Sequence, residues 1–189
     1  MSPVRIVKPK RFNDDRGWFS EVYNQQAFVK LGINAGFVQD NHSFSLSLGT
    51  IRGLHFQRPP HAQDKLVRCI RGRIYDVAVD VRRGSPTYGK HVGAELSAEN
   101  GLQLYIPAGF AHGFATLEPD CEITYKVSDI YAPQTEGGLR WNDAALGIEW
   151  HLPAGITPLL SAKDAILPSL AAFDSPFAYD GCPLEDLVV

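Results

Sequence analysis

The sequence predicts an all-β protein, built as a barrel or a two-sheet sandwich, and three observations carry that expectation. From Gly36 onward, short apolar runs alternate in and out with a period of two. Turn signals separate these runs about every 8–12 residues, the rhythm of sandwiches and barrels. Only one segment has both the spacing and the cap of a helix.

In chain order, Val4–Val7 reads as a short edge strand, and Phe12–Gly17 as a polar turn punctuated by N-D-D-R-G. Trp18–Tyr23 is strand-like and aromatic. Asn24 is placed to cap a helix over Gln25–Leu31, with Ala27, Phe28 and Leu31 on one face and Gly32 ending it. Leu66–Ile70 reads as a buried strand. In Ile74–Val81, Tyr75, Val77, Val79 and Val81 face one way, and Asp76, Ala78 and Asp80 the other. After the turn R-R-G-S-P, Val92, Ala94 and Leu96 alternate, and A-E-N-G leads into Leu102, Leu104 and Ile106. Cys121, Ile123, Tyr125 and Val127 share a face of another strand. Beyond Pro153 the chain is rich in Pro and Ala and reads as short turns packed on the barrel, with Pro183–Val189 free to fray.

With 189 residues, 44% hydrophobic and 21% charged, the chain reads as one domain over 1–189 with a peripheral tail from about 170. A net charge of −3 exerts no general pull on nucleic acid, so an anion must be held by local clusters. Cys69, Cys121 and Cys182 are widely spaced and form no metal or disulfide pattern. Met1–Arg11 has no apolar run of signal-peptide length, and no stretch suits a membrane span. The expectation is a soluble cytoplasmic protein.

Chemistry concentrates in Ile51–Arg73, where Arg52, His55 and Lys65 set two cations and an imidazole beside strands. Such a set suits an anionic ligand that undergoes proton transfer. A second centre is Ile106–Phe114, where Pro107 and Gly109 turn the chain ahead of His112. P-x-G-x-x-H resembles the second half of the cupin signature, with Gly53–His55 where the first half belongs; cupins are jelly-roll barrels. Metal-binding cupins carry His-x-His and then Glu. Here the run is His55-Phe56-Gln57, and no Glu follows before Arg73. Two isolated histidines make a poor site for zinc or iron, so the pocket is expected to hold no metal. His55 then becomes a candidate general base, Asp164 its candidate partner, Lys65 an oxyanion stabiliser and Tyr125 a proton donor.

Six ordered blocks, R-G-L-H-F-Q-x-P-P-x-A-Q-x-K-L-V-R, D-V-A-V-D-x-R-x-x-S-P-T-Y-G, L-S-A-E-N, I-P-x-G-F-A-H-G-F, W-N-D and L-S-x-K-D, closely resemble the dTDP-4-dehydrorhamnose 3,5-epimerase family from about Val4 to Pro168. The resemblance implies a cupin jelly-roll barrel with a short N-terminal helix and extra N-terminal strands. It implies a cofactor-free homodimer that inverts C3 and C5 of a dTDP-4-keto-6-deoxy sugar. By matching position it makes His55 the proton acceptor, Tyr125 the donor, Asp164 the partner of His55 and Lys65 the enolate stabiliser. Arg16, Glu21, Gln39, Asp40, Asn41, Arg52, His112, Glu136 and Lys163 match binding positions, and Tyr131 the residue that stacks on thymine. Relatives with nearly the same pocket invert a single carbon. Four positions depart from the usual pattern: Asp64 for Gly, Trp18 for Phe, Tyr105 for Trp and Ala108 for Glu. Asp64 is expected to pair with Lys65.

Overall fold

The structure is a computed structural model that describes residues 3–188; Met1, Ser2 and Val189, the ends of the expected domain, lie outside the described residues. In chain order its strands are β1 (Arg5–Val7), β2 (Arg11–Asp14), β3 (Gly17–Ser20), β4 (Gln39–Ser45), β5 (Ile51–Gln57), β6 (Lys65–Arg71), β7 (Arg73–Asp80), β8 (His91–Ser97), β9 (Gln103–Ile106), β10 (Phe110–Thr116), β11 (Cys121–Val127) and β12 (Glu136–Gly138). Two helices, α1 (Gln25–Lys30) and α2 (Ala162–Ala165), complete the set with short 3-10 turns. One five-stranded sheet runs β1-β9-β6-β11-β4, the other β12-β5-β10-β7-β8, and β2-β3 forms a separate hairpin. Every strand pairing is antiparallel. The fold is all-β, as the alternation predicted, and it is the jelly-roll barrel that the family resemblance implied.

The polar stretch expected as a turn over Phe12–Gly17 is partly strand. Arg11–Asp14 pairs with Gly17–Ser20, and Asp14 Oδ1 accepts from the Arg16 backbone N–H at 2.9 Å to close the turn. Asn24 does cap α1, accepting from Ala27 N at 3.2 Å, and Gly32 leaves the helix at φ +74°. The expected apolar face is narrower than Ala27, Phe28 and Leu31. Only Phe28 is buried in the helix, against Val7, Ile33, Leu66 and Tyr105, because the helix ends at Lys30 and Leu31 turns outward.

β7 alternates between two faces, and only the tertiary packing says which lies inside. Its valine face, Val77 and Val79, points away from the barrel interior. It joins Ile51, Leu54, Phe56, Ala111 and Ala115 in a layer covered by Leu139, Leu146, Trp150 and Phe177 from the C-terminal third. Asp76, Ala78 and Asp80 therefore point inward. The interior core, Val67, Ala78, Leu104, Phe110, Phe114 and Ile123 among others, shares the space between the sheets with a cavity. The second sheet is thus covered on both faces, which is why β10 is buried throughout.

The chain after 170 is pinned to the rim. Arg82, 2% exposed, donates twice to Asp80, at 2.9 and 2.8 Å, and once to Asp180 at 2.8 Å. Its guanidinium lies 4.5 Å from the centroid of Phe110, and Arg83 bridges to Ala178.

Candidate active site

A break in strand periodicity creates the central arrangement. Between β10 and β5, His112 pairs with His55 and Phe114 with Arg52. β5 thus spends three residues where β10 spends two, a β-bulge at Gly53–Leu54. In a regular strand, Arg52 and His55 would point to opposite faces. Here both line one cavity while Ile51, Leu54 and Phe56 face the outer layer. Gly53, at φ +137°, is required: a Cβ there would meet Gly113 Cα at 2.5 Å. The glycines of R-G-L-H and A-H-G-F are the two sides of this backbone contact.

The cavity, about 550 Å³, is lined by Arg52, His55, Lys65, His112, Tyr125, Lys163 and Asp164 with a few apolar residues. An adjoining recess of about 130 Å³ shares His55, Lys65 and Tyr125 and adds Gln39, Asn41, Tyr131 and Glu136. Asp164 comes from α2, whose Ser161 cap accepts from the Asp164 N–H at 3.1 Å. Its Oδ1 lies 2.7 Å from His55 Nε2, and its Oδ2 accepts from Gly53 N at 3.3 Å. Burial pushes the Asp164 carboxyl up, but His55, Gly53 and Ser161 together hold it below the usual carboxylate range. An ionised carboxylate only accepts, so His55 carries its hydrogen on Nε2 and leaves Nδ1 free.

Lys65 is buried and donates from Nζ to the His55 carbonyl at 3.3 Å. Burial pulls its ammonium down to about 8, against the opposing charges of Asp76 and Glu136. Tyr125 stands on β11, in the sheet opposite His55. Burial pushes its phenol up, partly offset by Arg52, so it is protonated at neutral pH. At the rim, Lys163 pairs with Glu136, which lines the recess together with Tyr131. Burial raises the Glu136 carboxyl, but Lys163, Tyr131 and His55 bring it net below its ordinary value.

Three expected binding residues are not brought into this cavity within one chain. Asp40 points to the other face of β4, where it pairs with Lys126 at 2.8 Å. Arg16 and Glu21 belong to the exposed N-terminal arm, and Arg16 bonds Asp14 at 2.6 Å. The expected pairing of Asp64 with Lys65 is corrected. Asp64 instead accepts from the Tyr105 hydroxyl at 2.7 Å and from Ala108 N at 2.8 Å. Three of the four positions that depart from the family pattern are therefore one hydrogen-bonded unit.

The position that would carry a second metal-binding histidine has a different task. Gln57 donates to the carbonyls of His61 and Ile130 at 2.7 and 3.1 Å and accepts from Ala132 N at 2.8 Å, clamping the loop that presents Tyr131. Among the described residues, no group of three His, Cys, Asp or Glu side chains is arranged to hold a metal ion. Sequence reasoning passed over Asp76. The available signal was its place opposite the valine face of β7.

Residues 1–172 match the family model for dTDP-4-dehydrorhamnose 3,5-epimerase. A relative of that name from Sinorhizobium fredii is 54% identical, over 95% of this chain and 91% of its own length. Another, from Salmonella typhimurium, is 56% identical over 88% of this chain and 90% of its own. The crystal structure of dTDP-6-deoxy-D-glucose-3,5-epimerase from Legionella pneumophila, in complex with dTDP-4-keto-L-rhamnose, superposes with a TM-score of 0.88. It is 41% identical and covers 94% of each chain.

Proposed function

Because the chain belongs to the dTDP-4-dehydrorhamnose 3,5-epimerase family, we propose that it inverts C3 and C5 of dTDP-4-dehydro-6-deoxyglucose through an enolate, with His55 as base and Tyr125 as acid. The C4 ketone acidifies the hydrogens on both neighbouring carbons, so one carbonyl activates both centres. His55 Nδ1 takes the proton, and Asp164 stabilises the imidazolium that results. The Lys65 ammonium offsets the charge that gathers on the C4 oxygen. Tyr125 returns a proton from the other side, which turns deprotonation into inversion.

The observation that carries this reading is that His55 and Tyr125 stand on opposite sheets and line the same cavity. Arg52, His112 and Lys163 line that space, and Gln39, Asn41, Glu136 and Tyr131 the recess beside it. We assign these residues to the sugar and diphosphate, with Tyr131 against the thymine ring. The donor set suits a reaction without metal or redox cofactor, carried out by a single-domain cytoplasmic protein. Arg16 and Glu21 sit on an arm whose Phe19 is 70% exposed. A homodimer in which this arm, with Arg16, Glu21 and the Asp40 strand, meets the second copy would bring them into use.

The test is incubation with dTDP-4-dehydro-6-deoxyglucose in deuterated water, followed by NMR of the product. The reading requires a product inverted and labelled at both C3 and C5. Label and inversion at one carbon alone would make the protein a mono-epimerase. Binding with no carbon-bound label would make it a non-catalytic sugar-nucleotide receptor.

A further inference from the structure

Behind His112, which lines the cavity, stands a carboxylate to which the mechanism above gives no role. Asp76, on the inward face of β7, is 0% exposed. Its Oδ1 lies 2.6 Å from His112 Nε2, and its Oδ2 is buried without a hydrogen-bond partner. A buried carboxylate with one oxygen unsatisfied is costly and calls for a reason in the chemistry around it. The neighbouring cation is Lys65, whose largest attractive charge is Asp76. We propose that Asp76 is a positioning residue for the epimerisation: it holds His112 as the Nε2–H tautomer, and its charge keeps Lys65 an ammonium beside the reacting carbonyl.

Both effects follow from the geometry. The Asp76 carboxylate accepts only, so the hydrogen sits on His112 Nε2 and the Nδ1 lone pair is left to accept from a donor such as a sugar hydroxyl. Burial of His112 pushes its imidazolium down, with Lys65 and His55 adding to the fall against the pull of Asp76. The ring is thus neutral at neutral pH and acts as an acceptor. For Lys65 the groups that share its surroundings are Arg52 and His55 on β5, Asp76 on β7, His112 on β10, Tyr125 on β11, Tyr131 in the loop after it, Glu136 on β12, and Lys163 and Asp164 on α2. Among the acids, Asp164 is bonded to His55 and Glu136 to Lys163. Among the described residues, Asp76 alone of the three has a buried oxygen without a hydrogen-bond partner.

The inference rests on the reading that Lys65 stabilises the enolate, and the experiment separates the two. Lys65 is active as an ammonium, so turnover should fall as pH rises through its value of about 8. Asp76→Asn keeps the shape and removes the charge. The alkaline limb of kcat should then move to lower pH by about one unit, a tenfold change in proton affinity, with KM at acid pH little altered. A variant that lost only packing would lower kcat at every pH and leave the limb in place. Lys65→Met run alongside decides the premise. If it turns over normally, the enolate role of Lys65 fails and the inference falls with it. If it is inactive and Asp76→Asn keeps the wild-type limb, only the inference falls.

Should Asp76→Asn not fold, nitrogen-15 NMR of the wild-type histidines, with His112→Asn for assignment, decides. A neutral Nε2–H tautomer at His112 supports the proposal, and an Nδ1–H tautomer or an imidazolium at neutral pH overturns it.

Discussion

Tyr125→Phe separates removal of the proton from its return. The Tyr125 hydroxyl makes no hydrogen bond to another described residue, and the ring packs beside the interior core. Deleting the oxygen strands no partner, so stability should change by less than about 0.5 kcal/mol. What is lost is a phenol that burial keeps protonated, poised across the cavity from the base. Loss of a general acid typically costs about 10²–10⁴ in rate, or about 2.7–5.4 kcal/mol in the activation barrier. Abstraction by His55 and its return to the same face remain intact. In deuterated water the variant should exchange hydrogen at C3 or C5 of the recovered substrate while inverted product falls by that factor. NMR of both pools reads each rate. Unimpaired inversion would remove Tyr125 from the acid's role, and an equal loss of exchange and inversion would place it in abstraction instead.

Asp164→Asn should lower kcat by about 10²-fold while dTDP still binds in calorimetry, because the 2.7 Å contact to His55 orients the base and touches no phosphate. Exhaustive chelation should leave turnover unchanged; rescue by a divalent ion after loss would contradict a donor set of His55-Phe56-Gln57. Asp80→Ala should cost about 3 kcal/mol by leaving buried Arg82 with Asp180 as its one remaining carboxylate, measured as a drop in Tm. Burial raises the Asp80 carboxyl, but Arg82, Ser85 and Thr87 bring it net below its ordinary value. Its stabilisation is therefore present above the unfolded value near 3.9 and lost as pH falls through the folded one. The variant's Tm should consequently depend less on acid than the wild type's.

Much of this architecture was legible because alternation is a local property. The strand faces of β7 and β11 and the cap at Asn24 follow from neighbouring residues alone. Which face lies inside is not local. Alternation separates the valines of β7 from Asp76, Ala78 and Asp80 without saying which set lies inside; the C-terminal third covers the valines from outside, and the acids Asp76 and Asp80 go inward. Only that tertiary cover marks Asp76 as a buried inward acid. The meeting of Asp164 with His55, 109 residues apart, is a matter of tertiary approach, and only family resemblance made it visible. The partner of Asp64 was misjudged for a related reason. The adjacent Lys65 points inward, and the groups that bond Asp64 are Tyr105 on the paired strand β9 and Ala108 in the turn after it, more than 40 residues on in sequence.

The bulge in β5 behaves as a phase slip. Each residue of a strand reverses the direction of the next, so the single added residue between Arg52 and His55 decides whether cation and base look at the same ligand. Substitution cannot reproduce that effect; only a change in length can. Deleting one residue there would leave every side chain of R-G-L-H-F-Q chemically available, yet it would rotate Arg52 beneath the covering layer while His55 stayed in place. Variation at this point of the chain is therefore quantised. Side chains around the cavity can be exchanged gradually, but the cation and the base are kept together or separated in one step.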